Sequence, residues 1–154
     1  MGGSYPYAGV IRDPAGNLYG TTAWGGDLNC LVYLEPGCGL VYKLEPAGNY
    51  TVLYSSSGES DGAIPDSAGV VRDTAGNLYG TTAYGGNYGA TPYGGPFYVS
   101  PCTNPAGCGV VFSIDTAGQL TVLYGFTGST DGAYPNAGLV NGRAAPFLQP
   151  SKVR

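Results

Sequence analysis

The chain contains no histidine, and charged residues fill only 10% of its 154 positions. Without an imidazole the usual base of a serine or cysteine triad is missing, and no Ser-x-x-Lys or Gly-x-Ser-x-Gly stretch replaces it. The six basic residues, Arg12, Lys43, Arg72, Arg143, Lys152 and Arg154, are scattered in a chain of net charge −4. No basic face gathers to neutralise several phosphates, so nucleic acid is not an expected partner. No run approaches the ~18 apolar residues of a membrane-spanning helix, and "MGGSYPYAG" at the start lacks the regions of a signal peptide. The chain reads as soluble, with no membrane partner.

What the chain has in quantity is glycine, 28 residues, and tyrosine, 14, within a hydrophobic content of 43%. That composition belongs to a folded, turn-rich β protein rather than to a disordered polar tract. One stretch is written twice: "RDPAGNLYGTTAWGG" at 12–26 returns as "RDTAGNLYGTTAYGG" at 72–86, an offset of 60. Further on, "CGLVYKLEPAGNYTVLYSSSGESDGAIP" at 38–65 is followed by "CGVVFSIDTAGQLTVLYGFTGSTDGAYP" at 108–135, an offset of 70. The offset grows because the loop from Gly86 to Cys108 is longer than its counterpart from Gly26 to Cys38.

Each unit predicts four short strands, in the first at 9–13, 17–23, 39–45 and 50–55, rich in the Val, Leu, Tyr and Thr that suit a pleated surface. Tight turns join them; Gly16 supplies the positive φ in the first. A four-stranded meander repeated every forty to seventy residues or so, with a long link to the next unit, is the pattern of propeller blades. The fold class is therefore all-β: four-stranded antiparallel meanders as β-propeller blades, two per chain, with one extra strand. Residues 1–68 form the first repeat and 69–137 the second, with the longer cysteine loop. Residues 138–154 hold the start of a truncated third repeat, then a non-repeat tail.

The stretch "D-x-A-G-N-L-Y-G-T-T" resembles sensor-type and other bacterial propeller repeats. The whole unit, "DGAxP…AGV…RDxAGNLYGTTAxGG…CGxV(Y/F)…AG…TVLY", resembles the tandem repeat called GloVer, of secreted or surface-anchored bacterial proteins. The match runs over about residues 4–140. It implies a fold and an extracellular or cell-surface location, and brings no catalytic residues to transfer. Where a third unit would continue "RDxAGNLYGTT", the chain reads "NGRAAPFLQPSKVR".

Two blades alone leave sheet faces bare, which predicts a homo-oligomer: a dimer or trimer ring, or a filament if head-to-tail contacts fail to close. The cysteines fall in equivalent loops as Cys30 with Cys38 and Cys102 with Cys108, and pairing within each loop is the simplest of three connectivities. A metal site would want Cys-x2-Cys spacing or histidine, so no metal or cofactor is expected. Disulfides imply an oxidising compartment.

Asp13 and Asp73 precede "AGN" turns and Asp61 and Asp131 sit in "DG" turns, which gives each a local backbone duty. Asp27 and Glu35 lack one, and are the acids left for a glycosidase-like hydrolase formed on assembly. Trp24 and Tyr84 hold one repeat position beside Gly-Gly, with Tyr33, Tyr88 and Tyr93 in the loops that follow. Such rings either stack on sugar faces, one site per blade, or cap the blade by packing. The functional expectation is an extracellular module acting by binding and self-assembly, carbohydrate its ligand. The alternatives are the small hydrolase and a structural or adhesive subunit.

Overall fold

The computed structural model describes residues 2–32, 35–65, 68–86, 107–128 and 130–142. Among these the chain is all-β. The first sheet runs β2 (Ile11–Arg12), β3 (Leu18–Thr22), β7 (Leu40–Leu44) and β8 (Tyr50–Ser55), each antiparallel to the next. The second repeats it as β9 (Val70–Arg72), β10 (Leu78–Thr82), β11 (Val110–Ile114) and β12 (Leu120–Gly125). The register repeats too: each outer pair is bulged at the same place, between Val41 and Tyr42 and between Val111 and Phe112. Two short two-stranded ladders accompany the first sheet. One pairs β1 (Gly3–Ser4) with β4 (Trp24–Gly25), the other β5 (Leu31–Val32) with β6 (Glu35–Pro36).

The turns explain why such short strands form. Asp13 accepts hydrogen bonds from the Asn17 backbone and side-chain amides, both at 2.9 Å, and Asp73 does the same for Asn77 at 2.8 and 2.9 Å. Gly16 and Gly76 take the left-handed corner at φ 90° and 101°, where a Cβ is strained. The expected strands, turns and acid duties are thus in place.

Alternation gives each sheet two apolar faces, and one joint uses one face of each. Val41 of the first sheet is buried with Val70, Leu78, Val110, Phe112 and Ile114 of the second, and Ile11, Tyr19, Leu53 and Tyr54 pack against them. Phe112 fits because its register partner is Gly80, where a Cβ would lie 2.6 Å from the ring. Burying side chains of this size contributes about 1.5–3 kcal/mol each. Across the joint Arg72 stands over the Tyr19 ring, 5.8 Å from its centroid.

A corner segment stitches the sheets. Tyr5, Ile64 and Tyr134 are the non-glycine residues with positive φ among those described, at 58°, 56° and 54°, and each precedes a proline. At the middle corner the Ile64 amide donates to Cys38 (2.9 Å) while its carbonyl accepts from Ala83 (3.2 Å), so one residue ties the first repeat to the second. Tyr5 accepts from Ala23 at 3.1 Å and Tyr134 donates to Cys108 at 2.9 Å. The chain thus carries three copies of one corner. Residues 137–140, where the sequence returns a first strand, form no ladder.

Candidate functional site

Beside the corner lies a second, smaller core. Ala23, Cys30, Cys38, Ala63 and Ile64 are buried together, with Trp24 and Tyr84 packed against them. Cys30 and Cys38 form the expected disulfide, with Cα atoms 5.7 Å apart. Cys108 is disulfide-bonded as well; its expected partner Cys102 lies outside the described residues. Tyr84 also meets the Tyr134 ring at 5.4 Å. Position 24/84 therefore does the capping job, while each ring keeps part of its surface open.

The other sequence candidates separate. Tyr33, Tyr88 and Tyr93 lie outside the described residues, and Glu35 is placed by its backbone alone, opposite Val32. Asp27 has a structural duty that its loop position does not advertise: its carboxylate accepts from the Asn29 backbone and side-chain amides, both at 2.9 Å. The Asp27 amide in turn donates to Ser55 Oγ at 2.7 Å, anchoring the cysteine loop to β8. Gly26, Asp27, Val52 and Ser55 line a shallow cleft of about 300 Å³ there. Among the described residues no three acidic or sulfur side chains gather as metal ligands would.

Asp13, Asp73 and Asp131 are held as carboxylates. The Asn17 and Asn77 side-chain hydrogen bonds lower the Asp13 and Asp73 carboxyls below the usual 3.8. The Thr127 hydroxyl first, then Tyr124, bring Asp131 to about 2. Tyr54, whose hydroxyl donates to Asp61 at 2.8 Å, is pushed well above the usual 10.0 by burial and then by that carboxylate. A hydrolase acid must be raised toward neutrality to donate a proton; Asp13, Asp73 and Asp131 are driven the other way.

Sequence reasoning missed a larger groove on the outer face of the first sheet. Gly2, Gly3, Pro6, Tyr42, Leu44 and Tyr50 enclose about 440 Å³ of mainly apolar space, and Tyr42 stacks on Tyr50 at 5.4 Å. The signal was there in "LVYKL", where the residues alternating with Val41 are also apolar. No family model, curated protein or solved structure matches this chain.

Proposed function

We propose that the chain is an extracellular propeller-type repeat module of the GloVer kind, acting by binding and assembly rather than by chemistry of its own. One observation carries the reading: two sheets of the same topology meet through one face each, and the equivalent outer faces carry exposed apolar side chains, Leu123 and Tyr124 on one and Tyr50 on the other. Such a chain is a length of a stack. The acids support it, since Asp13, Asp27, Asp61, Asp73 and Asp131 are each bound into a turn or loop. The disulfide supports an oxidising, secreted setting.

Carbohydrate is the ligand class, on the partly open rings of Trp24 and Tyr84 and on Tyr7, 65% exposed. Rings of this kind present flat apolar faces with polar edges. A glycan array on the purified protein tests this. Binding that is lost in Tyr7→Ala, with the melting midpoint retained, is the expected result. A blank array sinks the carbohydrate ligand, and turnover of chromogenic glycosides that falls in Asp27→Asn sinks the non-catalytic reading.

A further inference from the structure

The two repeats let the covered face serve as a map of the open one. In the joint, Val41, Leu53 and Tyr54 of the first sheet press on Val110, Phe112, Ile114 and Leu120 of the second. The repeat offset of 70 carries the first set to Val111, Leu123 and Tyr124 and the second to Leu40, Tyr42, Leu44 and Tyr50. The first of these derived sets lies on the outer face of the second sheet, where Leu123 and Tyr124 are 52% and 46% exposed. The second lies on the outer face of the first sheet, with Tyr42, Leu44 and Tyr50 lining the groove of about 440 Å³. One molecule carries both halves of the joint it has already made once.

We propose that a second copy of this chain docks head to tail, the Val111, Leu123 and Tyr124 face of one copy filling the Tyr42, Leu44 and Tyr50 groove of the next. This rests on the reading of the chain as a length of a stack and names what continues it. The corners add a steric condition. Residues 3–13 of the incoming copy and residues 132–142 of the first are copies of one segment, so they compete for one place. The incoming segment wins it: it runs on into β2 and β3, whereas 137–140 pairs with nothing and Val140 is 87% exposed. It also brings Arg12, equivalent to Arg72, over Tyr79, equivalent to Tyr19. That remakes the cation–π contact at a position where the end segment has Asn141. Tyr5 would then donate to Cys108 of the other copy as Ile64 donates to Cys38, so a single corner residue again ties two repeats. Because the two surfaces differ, the contact is heterologous and builds a ring or a filament.

Sedimentation of the full chain across micromolar concentrations, with two charge-bearing variants, tests the joint. Leu123→Asp and Tyr50→Asp each bury an unpaired carboxylate in it, so each alone weakens self-association by about tenfold or more. Mixed together they form pairs and nothing larger, since each variant keeps the face the other has lost. Both side chains are about half exposed, so melting midpoints stay near that of the parent. Should either variant unfold, Arg12→Gln, on an exposed side chain, still weakens association. Asn141→Ala, which removes the 3.0 Å bond to the Arg72 carbonyl, strengthens it by loosening the segment that must yield. A parent chain that stays monomeric overturns the proposal while leaving the glycan result untouched. Association that all these substitutions leave unchanged overturns the head-to-tail geometry but not the repeat-module reading.

Discussion

Phe112 and Tyr42 hold the same place in the two repeats, each opposite a glycine on the neighbouring strand. Phe112 is 2% exposed, sealed against the first sheet, while Tyr42 borders an open groove. Leu53 and Leu123 give the same contrast from the opposite face: one packs into the joint, the other faces out. Strand lengths, bulges and turn acids are alike on both sides of each comparison. What differs is whether a neighbour is present. Burial here is a property of position in a stack, and the sequence of one unit does not determine it.

The largest test of that contrast is truncation of the paired aromatics. Phe112→Ala empties a sealed core position and costs about 3–5 kcal/mol in denaturant unfolding. Tyr42→Ala in the unassembled chain costs less than half as much, and equal losses would mean that the outer face is covered after all. Next comes the leucine pair, with Leu53→Ala costing about 1–2 kcal/mol and Leu123→Ala within about 0.5 kcal/mol of the parent. Assembly should erase this difference, bringing the Leu123 penalty up to that of Leu53.

The smallest effect concerns the turns, whose Asp–Asn bonds are local in both repeats. Asp13 and Asp73 both have lowered folded-state values, so their contribution is present above the usual 3.8 and is lost as pH falls through the folded value. Asp13→Asn and Asp73→Asn should therefore destabilise equally at neutral pH, by an amount that shrinks toward pH 2. Unequal losses would show that the two turns feel their positions in the stack.

Much of this was legible in the letters. "AGN" after Asp13 and Asp73 fixed two turns and the strands around them, because an Asx turn is a local device that needs no partner. The Cys30–Cys38 bridge was legible from spacing. The groove was legible only in part: "LVYKL" marks one wall, but the others come from the corner at Gly2–Pro6 and from β8, brought together by folding. Asp27 is half a case of this: its carboxylate closes a local turn on Asn29 that "DLN" could have signalled, whereas the tie of its backbone amide to Ser55 spans 28 positions, and nothing in a loop sequence reveals the strand that receives it. The packing of Trp24 likewise depends on Ala63 and Ile64, which the chain supplies only after the sheet is complete.

The cysteine loops are pinned at the base in the same way in both repeats, Gly39 donating to the Gly25 carbonyl and Gly109 to that of Gly85, each at 3.1 Å. Yet the loops they close differ by ten residues, 12 from Gly26 to Cys38 and 22 from Gly86 to Cys108. Near-doubling the length of a loop costs only about 0.6 kcal/mol in closure entropy. The clasp thus separates scaffold from loop: insertions above it are almost free and leave undisturbed how one sheet seats on the next.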